Sequence, residues 1–305
     1  MPLSRFLKVV FALCILAVIG NAKADIYTTA NIVNDGYILR TDDSGFTSVF
    51  STDATPYFNI SGIAFNSTNT MYVADADGLY TVNTLGARTQ IASVDTIYQT
   101  GIAIDNQDDV YVADFNLHIL KYASTGTLLA TWDAFDSTEA MVYNGGRLYV
   151  TNYSDNSIGY YDTTTGDYTP YVSLGDGFFP TGLARDAAGN FYVTSDADPY
   201  QIVKVDPSLN ITSYVTTGLS GPWGLEWTDN GLLIANQWCG CVGQTNSILL
   251  ADGLGGVTLI SDLGDDYTPV FLVTAPVPEP STFALFLSAG AMGFVMLRRR
   301  KASLR

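Results

Sequence analysis

Gly62-Ile63-Ala64-Phe65, followed five residues later by Met71-Tyr72-Val73-Ala74-Asp75, is the stretch whose reading decides the fold. It returns as Gly101-Ile102-Ala103-Ile104 with Val110-Tyr111-Val112-Ala113-Asp114, and as Ala140-Met141-Val142-Tyr143 with Leu148-Tyr149-Val150-Thr151-Asn152. It returns again as Gly182-Leu183-Ala184-Arg185 with Phe191-Tyr192-Val193-Thr194-Ser195, and as Gly224-Leu225-Glu226-Trp227 with Leu232-Leu233-Ile234-Ala235-Asn236. A period of about forty residues is that of a four-stranded propeller blade. Gly and Ala in the first segment permit close approach around a central axis. A polar hairpin such as Asp186-Ala187-Ala188-Gly189-Asn190 follows, with turn residues that tolerate unusual backbone angles. Third and fourth strands complete the unit, as in Gln201–Asp206 and Ile211–Val215.

Two pieces stand outside the five copies. Ile26–Thr29, Tyr37–Arg40 and Thr47–Phe50 read as strands two to four of a blade, and Pro269–Val273 as a lone first strand. Together they complete a sixth blade and close the ring, which removes the sheet edges a linear array would expose. The expected architecture is all-β: a six-bladed propeller over residues 25–275, closed by N-terminal strands plus one C-terminal strand. The repeat resembles the NHL, streptogramin-lyase-like and gluconolactonase-like group of six-bladed propellers. That resemblance concerns architecture; chemistry must be argued from a site.

Both ends read as processing segments. Arg5 and Lys8 precede an apolar run from Val9 to Gly20, and Ala22-Lys23-Ala24 fits the A-x-A rule, so 1–24 is expected to be a signal peptide cleaved between Ala24 and Asp25. Such a leader implies the secretion translocon. At the other end, residues 276–305 hold Pro278-Glu279-Pro280, an apolar run to Leu297, and Arg298-Arg299-Arg300-Lys301. The uncharged stretch from Thr282 reaches only about 24 Å as a helix, short for a hydrocarbon core of ~30 Å. By the positive-inside rule the basic cluster stays cytoplasmic and the body lies outside the inner membrane. Turn, span and basic cluster in that order resemble a PEP-CTERM sorting tail. The resemblance implies an exosortase-type processing enzyme, a transient transmembrane helix, then the cell surface or extracellular matrix of an exopolysaccharide-producing, biofilm-forming bacterium.

The net charge of −16 understates the body. Of 14 basic residues, three belong to the leader and five to the tail, which leaves six against 29 acids and about −23 for residues 25–276. Such a body excludes nucleic acid as a partner. Nearly all its acids are Asp, a turn former, so much of the charge is expected at hairpin tips.

Propeller sites lie where the loops after second strands meet those entering first strands. These loops bring aromatic residues (Tyr153, Phe178, Phe179, Trp223, Trp238, Tyr267) beside acids and amides. Flat rings for stacking and Asp or Asn for hydroxyl groups suit an exopolysaccharide or another surface partner, bound without catalysis. The competing reading is that the rings wedge between blades and the Asp residues cap turns. The gluconolactonase-like resemblance implies a metal-dependent hydrolase or lyase, with Glu226 pointing into the channel and Asn152, Asp196 and Asn236 nearby as oxygen ligands suited to Ca²⁺. His118 is the chain's single histidine and reads as a strand residue. Cys239 and Cys241, in Trp238-Cys239-Gly240-Cys241, are the cysteines left after the leader is removed. In an oxidising compartment they are disulfide candidates, with a redox dithiol as the alternative.

Overall fold

The computed structural model describes residues 24–276 apart from 33–34, 52–56, 59, 95–99, 115–116, 135–136, 238–244 and 254. Every described element is a strand, and the strands form six antiparallel sheets. Blade 1 is Thr268–Thr274, Ile26–Ile32, Asp35–Thr41 and Thr47–Val49, with the short Tyr57–Phe58 as an extra partner of Asp35–Thr41. Blade 2 runs Ile63–Phe65, Met71–Asp75, Gly78–Val82, Arg88–Ala92; blade 3 runs Ile102–Ile104, Val110–Ala113, His118–Tyr122, Leu128–Asp133. Blade 4 runs Thr138–Asn144, Arg147–Asn152, Ser157–Asp162, Tyr168–Ser173. Blade 5 runs Pro180–Arg185, Phe191–Ser195, Gln201–Val205, Ile211–Val215, and blade 6 Pro222–Thr228, Gly231–Asn236, Asn246–Ala251, Val257–Gly264. The expected closure is present: Thr268–Thr274 pairs with Ile26–Ile32, Thr274 opposite Ile26 and Leu272 opposite Thr28. Inner strands touch their neighbours around a complete circle, from blade 2 through blade 6 to blade 1 and back.

Burial follows position within the blade. Second strands such as Met71–Asp75 and Phe191–Ser195 are buried at every residue, because neighbouring blades cover both faces. Outer strands such as Leu128–Asp133 alternate between exposed and half-buried, as a sheet with one covered face does. Threonines on second strands stitch blades together. Thr29 Oγ1 donates to the Ser61 carbonyl at 2.7 Å, Thr151 Oγ1 to that of Thr181 at 3.1 Å, and Thr194 Oγ1 to that of Trp223 at 3.1 Å. Each bond runs from one blade to the start of the next blade's inner strand, at or just before its first residues.

The turns share one device that explains the Asp content. Asp42, Asn66, Asn83, Asp105 and Asp206 each accept, through Oδ1, backbone N–H groups two and four residues on. Three residues on, the chain turns left-handed, at Gly45, Asn69, Gly86, Asp108 and Leu209. Leu209, at φ 65°, is the one apolar side chain in that set. Leu209→Gly is expected to stabilise the protein by about 1 kcal/mol, since an L-residue pays roughly that in this region. A higher urea midpoint with an unchanged m-value would show it.

One cluster ties blade 3 together. Lys121 Nζ lies 3.1 Å from Asp105 and 3.0 Å from Asp109, while the Tyr111 hydroxyl donates to Asp105 Oδ2 at 2.8 Å. The Asp105 side chain is 1% exposed. Burial alone would raise its carboxyl, but hydrogen bonds from Tyr111, two backbone N–H groups and Lys121 outweigh it and hold the pKa low. Burial works against the Lys121 ammonium, and its contacts with Tyr111, Asp109 and Asp105 more than offset it, so its pKa is raised.

Candidate functional site

Inner strands begin on the face carrying the loops after second strands, called here the loop face. They end at the tight hairpins of the opposite, hairpin face. On the loop face, between blades 4 and 5, Tyr153 and Phe179 pair at 5.1 Å between ring centroids. Tyr153 follows the second strand of blade 4, and its hydroxyl donates to Asp196 Oδ2 at 3.3 Å. Asp196 follows the second strand of blade 5, and its N–H donates to the Phe179 carbonyl at 3.0 Å. Phe179 enters blade 5 at φ 51°, a conformation costing a bulky residue roughly 1–3 kcal/mol. Asn156 Oδ1 pins it by accepting its N–H at 2.8 Å, and its ring stays exposed.

Glu139 completes this cluster. It occupies the repeat position that holds Ser61, Thr100 and Thr181 in other blades, just before the small residue of the inner strand. Its carbonyl accepts the Gly101 N–H of blade 3 at 2.7 Å. Burial, and then the charge of Asp196, push its carboxyl up to about 7. Burial also raises Asp196, partly offset by the Tyr153 hydrogen bond. Burial, with the charges of Asp196 and Asp198, raises the pKa of the Tyr200 hydroxyl. Among the described residues no ion pair reaches Glu139 or Asp196. Alignment of the repeats offered a signal for Glu139, an acid where neighbours carry hydroxyls, and sequence reasoning passed it over.

The other aromatic candidates go elsewhere. Phe178 is 7% exposed and packs in the largest apolar cluster, which follows the wedge reading rather than ligand binding. Trp223 is half-buried against that cluster, with an indole N–H that has no partner. Tyr267 sits edge-on to Tyr37 at 5.6 Å and packs against the cluster of blades 1 and 6.

The four expected metal ligands are each engaged elsewhere or set apart along their strands. Pro222 pairs with Asn236 on the loop face, but Glu226 pairs with Leu233, three residues or about 10 Å further along the strand. Asn152 is engaged by Asp155, accepting its N–H at 3.2 Å and donating to its carboxylate at 3.0 Å. Asn236 holds Ser220 through its N–H and hydroxyl at 2.9 and 2.8 Å. Asp196 is turned to Tyr153. Among the described residues no three His, Cys, Asp or Glu side chains come together as a metal site.

Glu226 lines the central channel, a cavity of about 220 Å³ walled by inner strands of every blade. The Thr274 hydroxyl donates to its Oε1 at 3.0 Å, while Oε2 is buried without a partner. Burial pushes this carboxyl up to about 7, and the Thr274 contacts offset only part of that. Glu139 and Glu226 therefore both favour the protonated form in the folded state. A raised folded pKa gives stability that is full below the unfolded value of 4.5 and lost as pH rises through about 7. Thermal stability is expected to fall from pH 5 to pH 8, by up to roughly 3 kcal/mol per group. Glu226→Gln and Glu139→Gln should each flatten that slope, and an unchanged slope in both would refute the assignment.

His118 opens a strand, as expected, and its Nδ1 lies 3.1 Å from Asp114 Oδ2. Asp25 begins the propeller, ion-paired to Arg40 at 2.7 Å. Trp238, Cys239 and Cys241 lie outside the described residues, as do Pro278, Glu279, Pro280, Arg298, Arg299, Arg300 and Lys301.

The fold is shared with solved structures, among them the following three. A chain of a nidogen/laminin complex superimposes with a TM-score of 0.67 at 16% identity, over 82% of this chain and 98% of that one. A streptogramin B lyase gives 0.57 at 16%, over 84% and 92%. A protein of unknown function from Bacteroides caccae gives 0.60 at 12%, over 84% and 100%. At these identities the likeness is one of fold alone. No curated protein sequence matches the chain. Residues 276–301 match the PEP-CTERM protein-sorting motif. The chain is thus a six-bladed propeller carrying a PEP-CTERM sorting signal, which implies export, transient membrane anchoring and processing by exosortase.

Proposed function

We propose that the propeller is a non-catalytic binding module, released to the cell surface or matrix, that holds exopolysaccharide on its loop face. The observation that carries this reading is the Tyr153–Phe179 pair, an exposed ring kept in a costly backbone conformation beside Asp196 and Glu139. Rings offer apolar faces to a sugar, and the carboxyl groups accept hydrogen bonds from its hydroxyls. A body of about −23 repels polyuronates, so the favoured glycans are neutral or amine-bearing, or are bridged by Ca²⁺. We extend the proposal to the ends of the chain: a signal peptide over 1–24, the propeller over 25–275 and the sorting tail over 276–305.

Binding of the purified protein to exopolysaccharide from its own producer, with Ca²⁺ and with chelator, tests this. Saturable binding is expected, and Phe179→Ala should weaken it about ten-fold, as for a stacking contact of roughly 1.5 kcal/mol. Loss in chelator alone would shift the reading to cation bridging. No binding in either buffer, or equal binding by Phe179→Ala, would refute the loop-face site.

A further inference from the structure

The ring-closing strand determines where the sorting tail leaves the propeller. Thr268 pairs with Asn31 on the loop face and Thr274 with Ile26 at the hairpin face, and the Ala275 N–H makes a last bond to the Asp25 carbonyl at 2.8 Å. The Thr274 hydroxyl meets Glu226, two residues before the end of the blade 6 inner strand at Thr228. The chain therefore passes into the tail from the hairpin face, opposite Tyr153 and Phe179.

The tether is short whatever its conformation. Residues 276–282 precede the apolar run and span at most about 25 Å fully extended. To bring the loop face to the membrane, the tether would have to cross the blade width, about 14 Å for three strand spacings, and then the strand length of roughly 20 Å. It is too short for that. The hairpin face also carries exposed apolar tips: Phe46, Leu85 and Leu209, at 67%, 75% and 42% exposure, in the outer turns of blades 1, 2 and 5. The neighbouring Asp42 and Asp206 carboxylates are turned onto backbone N–H groups of their own turns.

We propose that, while the tail is attached, the hairpin face rests on the lipid head groups through Phe46, Leu85 and Leu209, and the loop face points away from the membrane. The anchored protein then presents its candidate site outward before processing, whatever that site binds. The tail supplies the attraction, since a body this acidic gains nothing from an anionic surface.

The test uses the full chain in phosphatidylcholine vesicles containing head-group spin-labelled lipid. Leu85→Trp and Phe179→Trp each add a tryptophan at an exposed position, and the added fluorescence is compared with the parent protein. The Leu85→Trp signal is expected to lose most of its intensity and the Phe179→Trp signal to keep it. Equal quenching of both, quenching of Phe179→Trp alone, or quenching of neither would overturn the orientation; the last would leave the apolar tips to a second copy of the chain.

Discussion

Gly224→Val is expected to destabilise the propeller by about 3 kcal/mol or more, at the upper end of what overpacking costs. A Cβ at Gly224 would lie 2.5 Å from the Val270 carbonyl oxygen and 2.7 Å from the Phe271 Cα. Those atoms belong to the backbone of the ring-closing strand and cannot move aside as a side chain would. Relief requires the closing strand to shift off Ile26–Ile32, which would reopen the ring. Urea unfolding should show the lost stability, and hydrogen exchange should locate early opening at Thr268–Thr274. Gly177→Ala makes the control. There a Cβ meets nothing within 4 Å and only φ +77° is at stake, so about 1 kcal/mol is expected. Equal losses at the two positions would show that close approach around the axis is not what Gly224 provides.

Lys121→Met should cost about 3–5 kcal/mol at neutral pH, because it leaves the buried Asp105 and the half-buried Asp109 without a cation. The aliphatic stem is kept, so the loss isolates the ammonium. Asp105 has a lowered folded pKa, so its contribution is present above the unfolded carboxylate range and disappears as pH falls through the folded value. The deficit of Lys121→Met should therefore shrink on acidification, as Asp105 takes up a proton. Adding Asp105→Asn to Lys121→Met should recover part of the loss. A deficit independent of pH would assign the effect to packing of Lys121 over the Tyr111 ring, 5.2 Å away, rather than to charge.

These two predictions differ in how much of their basis could be read without coordinates. Gly224 stands in a repeated small-residue position, and crowding around an axis follows from the repeat. The Lys121 cluster does not, because Asp105, Tyr111 and Lys121 lie on different elements of one blade and only their pairing brings them together. The site divides in the same way. Phe178 and Phe179 are adjacent and chemically identical, yet one is core and the other stands exposed, because Phe179 alone takes the left-handed turn that Asn156 pins. Glu226 is legible as an inner-strand residue facing the channel, but its separation from Asn236, three residues along the strand, is set by the pairing register.

By itself the sequence determined whatever depends on local pattern. The forty-residue repeat sets six blades, the orphan strands at the two ends set the closure, Asx residues set the turns, and residues 276–301 set the sorting fate. Tertiary structure decided what depends on neighbours distant in the chain. It put Glu139 beside Asp196 of the next blade, brought Tyr153 against Phe179, and buried one Glu226 oxygen in the channel. Strand periodicity and turn chemistry act over a few residues and are written in order along the chain. Burial, charge coupling and ring contact depend on separation in space, which exists only once the blades have closed.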